Sequence, residues 1–266
     1  KVIAGPAKKS RVITEKERKL TAYHEAGHAI VMRSIPGSDP VHQITIIPRG
    51  GAGGFTMQLP EEDKQYATKG MMLNDIKHLL GGRVAELLTL DDISTGASND
   101  IQRATDVARA MVTKYGFSDK LGPVNYSDSE EVFLGNDFSS KKSYSEEVAA
   151  EIDHEIRRIV EEAFEETKKI ISENLDKLER VAQALLAVET LDGQQFEQLY
   201  TGEKSAEDIE NDVMEKEAEI RKVNAQEAEE SEKLRREAEE RLMEEIERLR
   251  NQYVSADGTT HRRDEE

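Results

Sequence analysis

The sequence predicts a mainly α-helical domain with a small β-sheet or hairpin, an α+β class, followed by a charged tail. Three observations carry that expectation. Apolar residues recur at i, i+3 and i+4 through most of the chain up to about Thr201, the spacing that lines one face of a helix. One short region, from Val41 to Leu59, instead carries β-branched residues and polar–apolar alternation. Beyond Thr201 about half of the residues are charged, which leaves only a thin apolar stripe.

Residues 1–13 mix Gly5-Pro6 with Lys8, Lys9 and Arg11, show no period and read as a linker. A helix is expected from Thr14 to Ser34, opened by Thr14 and Glu17 at capping-box spacing and ended by Pro36-Gly37 and Pro40. Val41 to Ile47 and the alternating Phe55, Met57 and Leu59 read as strands joined by the flexible stretch Arg49 to Gly54. From Lys69 a helix carries Met72, Ile76, Leu79, Leu80, Val84 and Leu87 as one stripe, with Gly81-Gly82 suited to close packing. After a loop from Asp91 to Ser98, a further helix shows Ile101, Ala104, Val107, Ala108, Met111, Val112 and Tyr115 in period. A polar, loop-rich stretch from Leu121 to Lys142 precedes two amphipathic helices, one carrying Ile152, Ile156, Ile159, Ala163 and Ile170, the other Leu175, Leu178, Val181, Leu185 and Leu186. A short helix with Thr190 as its N-cap includes Phe196 and Leu199. In the tail, Leu234, Ala238, Leu242, Ile246, Leu249 and Tyr253 form the thin stripe of a frayed helix whose last dozen residues are expected to be disordered. The expected organisation is a linker over 1–13, a catalytic domain over 14–202 and a tail over 203–266.

The chain has 266 residues, a formal net charge of −18 and no cysteine. No basic stripe stands out against that acidity, so no nucleic-acid partner is expected. With no thiolate available, a metal site must be built from His, Asp or Glu. Neither Arg49 to Gly54 nor Thr201 to Ser205 matches a phosphate-binding loop, no apolar run reaches the length of a membrane span, and the chain reads as soluble.

The chemistry-bearing motif is His24-Glu25-Ala26-Gly27-His28, an H-E-x-x-H. On a helix the two histidines fall one turn apart on one face, so both imidazoles reach one Zn²⁺ while Glu25 sits beside it as a general base for bound water. Leu20, His24, Gly27, His28, Val31 and Ile35 share the apolar face, where an unpartnered imidazole is costly. Gly27 is a poor helix residue whose missing side chain leaves room for a backbone or a substrate near the metal. A catalytic zinc takes three protein ligands and keeps a fourth position open. His42, His78, His154 and His261 read as surface residues. Asp100 lies at a helix start on the stripe of Ala104, Val107 and Met111, and Glu86, near an apolar face, is its main rival. Residue chemistry leaves the choice open.

Several stretches in order complete the picture: Tyr23 to Ala29, Leu80 to Glu86, Ser94 to Ile101, Met111-Val112, Tyr115 to Ser118, Phe133-Leu134-Gly135 and Glu189 to Gly193. Together they resemble the protease domain of the FtsH family, membrane-anchored AAA+ zinc peptidases, over about residues 1–201. Thr89-Leu90 depart from that family's frequent aromatic–Gly pair, and the tail lies outside the likeness. The resemblance implies that Asp100 is the third zinc ligand and that Glu86 has a supporting role. It also implies ATP-driven degradation of unfolded and membrane polypeptides by a homo-hexamer associated with the cytoplasmic side of a membrane. The ATPase domain is absent from this sequence, so the chain reads as a fragment of a larger protein. Substrate is expected to pair as an extended strand near Gly53 to Thr56. Two other readings stay open: an ATP-independent peptidase with Glu86 as third ligand, and a non-enzymatic helical assembly module.

Overall fold

The computed structural model describes residues 14–48, 53–60, 66–127 and 144–257, with side chains described as far as Arg248. The expected linker 1–13, the glycine-rich residues 49–52, the loop part 128–143 with Phe133-Leu134-Gly135, His261, and residues 258–266 of the tail lie outside the described residues.

Helix α1 spans Glu15–Ser34 and opens with the expected reciprocal cap. The Glu17 amide donates to the Thr14 hydroxyl at 3.2 Å, and the Thr14 amide donates to the Glu17 carboxylate at 2.9 Å. Strands β1 (Val41–Thr45) and β2 (Phe55–Gln58) follow. The helices α2 (Lys69–Thr89), α3 (Ser98–Thr113), α4 (Glu146–Ser172) and α5 (Leu175–Val188) come next. Strand β3 (Thr190–Asp192), α6 (Gly193–Thr201) and α7 (Ala206–Asp257) complete the order.

The expected small sheet is present, antiparallel and three-stranded in the order β2-β1-β3, with β3 added to the strands read from the sequence. Thr190 does not cap a helix. It pairs with Thr45 of β1, their hydroxyls 2.8 Å apart, and the cap of α6 is Asp192, which forms a box with Gln195. Leu191 between them is fully buried against β1. Among the described residues, β2 pairs on one side only and forms an edge.

Two hydrophobic clusters hold the catalytic part together. The first gathers Ala22 to Val31 of α1, Val41 and Ile44 of β1, Leu178 to Leu185 of α5 and Phe196 and Leu199 of α6. Ile209, in the first turn of α7, is fully buried in it, and the compact unit runs to Glu210. The second cluster joins Met72, Ile76 and Leu80 of α2 to Ala104, Ala108 and Met111 of α3 and to Ile152, Ile156 and Ile159 of α4. Helix α2 serves both, because Val84 and Ala85 belong to the first. Its expected single stripe therefore divides, and Leu87 is exposed.

The second unit, Asn211–Glu266, is helical as far as Asp257. Leu234, Leu242 and Ile246 of the expected stripe are exposed, and Leu249 and Tyr253 fall among the side chains not described. Ion pairs one turn apart, Arg221–Glu217, Arg235–Glu239 and Arg236–Glu232, line this helix and favour it modestly. Among the described residues, no helix is long and apolar enough to cross a membrane.

Candidate metal centre and active site

The middle of α1 is buried on every side, and this is what makes its polar residues chemically unusual: His24, Glu25 and His28 are each less than a tenth exposed. Helix α5 and the sheet cover part of α1, and α2 covers the histidine face, crossing α1 at glycines. A side chain on Gly27 would meet the Gly81 carbonyl oxygen at 2.5 Å, and one on Gly81 would meet the Gly27 carbonyl oxygen at 2.8 Å. The room left by Gly27 is thus taken by the backbone of α2. A side chain on Gly82 would land on the His24 ring, so that imidazole lies flat against the helix. Small residues at this crossing let helix axes approach closely enough to enclose two imidazoles between them.

Each imidazole is fixed by its Nδ1. His24 Nδ1 lies 2.8 Å from Glu86 Oε1, and His28 Nδ1 lies 2.7 Å from the backbone oxygen of His78. A carboxylate and a carbonyl oxygen only accept, so each Nδ1 must carry the proton and donate it. In the neutral rings, both Nε2 atoms then present lone pairs. These two atoms are 3.1 Å apart, and Asp100 Oδ2 lies 3.2 Å from His24 Nε2 and 3.6 Å from that of His28. Three acceptors face one another with no donor between them. Such an arrangement is repulsive unless a cation sits at its centre, and these separations are close to the edges of a tetrahedron around an ion with bonds of roughly 2.0–2.2 Å. The residues present therefore fit a metal of the zinc type.

A proton is the alternative cation. Burial disfavours a charged His24, but Asp100 and Glu86 beside it outweigh burial and push its pKa up to about 9. Burial would likewise raise Asp100, yet His24 and His28 hold its carboxyl well below the usual carboxylate range. Burial pushes the Glu25 carboxyl up, against the pull of His28, His24 and a hydrogen bond from Thr56.

The structure brings together every residue expected at the site: His24, Glu25 and His28 from α1, and Asp100 from the first turn of α3. Glu86 stands on the other side of the His24 ring, fully buried, on Nδ1 and away from the Nε2 cluster. Its second oxygen accepts from the Ser94 amide at 2.8 Å, and the Ser94 hydroxyl donates to Oε1 at 3.1 Å. Arg83 donates to the Ser94 carbonyl at 2.8 Å. The loop before α3 is thereby tied to α2, and the tie carries Asp100 with it.

Of the other histidines, His42 and His154 are exposed as expected, but His78 is buried. It faces α1 from α2, its Nε2 is 3.2 Å from the Ser38 hydroxyl, and burial drives its pKa down to about 4. The signal lay in the face His78, Gly81, Gly82 and Ala85, spaced i, i+3, i+4 and i+7, which the apolar stripe obscured. A second group with ligand-like spacing, Glu151, His154 and Glu155, is different in kind, since Glu155 is already held by Arg158 at 2.9 Å and by the Ser118 hydroxyl at 2.7 Å.

A family model described as peptidase family M41 matches residues 11–199. The chain belongs to peptidase family M41. It is 67% identical over 204 residues to the ATP-dependent zinc metalloprotease FtsH 2 of Alkaliphilus metalliredigens, which covers 76% of this chain and 30% of that protein. It is 62% identical over 200 residues to FtsH of Caldicellulosiruptor bescii and 53% identical over 201 residues to FtsH of Bacillus subtilis, covering 75% of this chain and 32% of each relative. The chain thus spans about a third of the length of these curated relatives. The resemblance to the FtsH protease domain holds, and the M41 chain described here is a metalloprotease domain.

Proposed function

We propose that this M41 domain is a zinc-dependent endopeptidase in which His24, His28 and Asp100 hold Zn²⁺ and Glu25 is the general base. The observation that carries the reading is the convergence of three acceptor atoms, Asp100 Oδ2 and the Nε2 atoms of two imidazoles whose Nδ1 protons are already committed elsewhere. Bound there, the ion would supply a Lewis acid for water and for a peptide carbonyl. Glu25 would take a proton from the attacking water at its carboxylate and return it to the amine nitrogen that leaves as the C–N bond breaks. Glu86 and the His78 carbonyl keep both imidazoles in the tautomer that offers Nε2 to the metal. An extended polypeptide adds to the open edge of β2 near Gly53 to Thr56, where backbone pairing reads shape and not side chains.

In this reading the peptidase domain runs from residue 14 past the expected boundary at 202 to the end of the compact unit at Glu210, because Ile209 is buried in its core, and an appended tail follows. The names of the relatives support ATP-dependent proteolysis as the larger setting. The resemblance to the FtsH family further implies a membrane-associated homo-hexamer facing the cytoplasm and acting on unfolded or membrane polypeptides. Uncoupled from an ATPase, the domain should cleave only loose or unfolded peptides.

Metal analysis with peptide hydrolysis tests the site. The wild-type chain is expected to hold one zinc, and Asp100→Ala to lose it. Glu86→Ala keeps binding but weakens it by about 10- to 100-fold, as loss of an outer-shell partner does. Glu25→Gln keeps zinc and loses hydrolysis. Stoichiometric zinc in Asp100→Ala, or turnover by Glu25→Gln, would overturn the assignment.

A further inference from the structure

Strand β2 and the base meet at one side chain. Thr56 pairs with Ile44 of β1, and its hydroxyl oxygen lies 2.8 Å from Glu25 Oε2 and 3.1 Å from the backbone oxygen of Glu25. We propose that Thr56 is a positioning residue for Glu25, its hydroxyl fixing the carboxylate in place from strand β2. This rests on the reading of Glu25 as general base.

A hydroxyl has one proton to donate and lone pairs with which to accept. The Thr56 proton points at Glu25 Oε2, so this oxygen of the buried carboxylate has a fixed partner and does not carry the cost of an unmet polar group. Packing fixes the distance between strand and base. A side chain on Gly54 would meet the Thr45 carbonyl oxygen at 2.5 Å and Glu25 Cγ at 3.0 Å. The strand whose outer edge is open is thus the strand that aims the base, and substrate alignment and base alignment share one element.

The test uses the full zinc-loaded chain and an unstructured fluorogenic peptide. Thr56→Val keeps the side-chain shape and suits a strand. It is expected to lower kcat by about 10- to 100-fold, the range for losing a hydrogen bond to a charged group. KM should move by less than about threefold, because the backbone edge is unchanged. Thr56→Ser should restore kcat to within about threefold of wild type. Zinc content should match wild type in every variant, and in the Glu25→Gln background adding Thr56→Val should leave peptide affinity by fluorescence anisotropy unaltered. Should Thr56→Val fail to fold, Thr56→Ala carries the same comparison. Wild-type kcat in Thr56→Val, a loss confined to KM, or no rescue by Ser overturns the proposal while the base reading stands. Turnover by Glu25→Gln overturns both.

Discussion

His24 is confined on every side: Glu86 on Nδ1, the Asp100 and His28 atoms around Nε2, and Gly82 against the ring face. The glycines of this crossing do different work, and substitution separates them. Alanine at Gly27 would drive a methyl group into the backbone of α2, which cannot move without opening the helix pair. The expected cost is about 1–3 kcal/mol of stability, offset by roughly 1 kcal/mol of better helix propensity, read as a lower urea midpoint. Alanine at Gly82 would press first on the His24 ring, a side chain and not backbone, so the metal-free fold should lose less stability than with Gly27→Ala while zinc affinity drops by about 10-fold or more. Equal effects of the two substitutions on stability would contradict this division. At this scale the grouping of His24, Glu25 and His28 was legible because their spacing is dictated by one helix turn. Asp100 was not singled out by residue chemistry, since the loop geometry that separates it from Glu86 depends on Ser94, which leaves no periodic trace. Thr56 was visible as part of a strand but not as a partner of Glu25, a contact between residues 31 apart in the chain.

Among the elements, α4 carries the clearest electrostatic dependence. Glu155 is buried there, and Arg158 with the Ser118 hydroxyl holds its pKa near 2, down from an ordinary 4.5. A carboxylate whose pKa is lowered by folding stabilises the folded state above its unfolded pKa, and that stability is lost as pH falls through the folded value. Stability should therefore decline between about pH 4.5 and pH 2, by at most about 3 kcal/mol and by less where solvent screens the half-exposed Arg158. Urea unfolding of the chelated chain measures this without metal release, and Glu155→Gln should flatten the slope. Element identity was largely legible: α1, α3, α4 and α5 follow their apolar period. Helix α2 was read as one stripe because its second face is built of His78 and glycines, which no hydrophobic pattern registers. Strand β3 escaped notice because three residues between two helices are too short to show alternation.

For the catalytic unit as a whole, the site lies where two cores meet. The histidines belong to a helix of the first cluster, and Asp100 opens a helix of the second. A zinc ion held as proposed would join them, so removing it should loosen the junction. Saturation at about 100-fold above Kd adds roughly 2.7 kcal/mol. A chelator should accordingly lower Tm, and amide exchange should rise more at the start of α3 than in α5. Uniform exchange across both helices would show that the ion does not couple the clusters. The border of β2 left unpaired among the described residues has a further consequence, because an extended substrate added there as proposed would be held along four residues of strand, only about 13 Å. A client in its native state must first surrender a stretch of that length, and the free energy of this local opening then sets the rate at which it is cut. Two clients with the same cleavage site but different local stabilities would be destroyed at rates in the ratio of their opening constants.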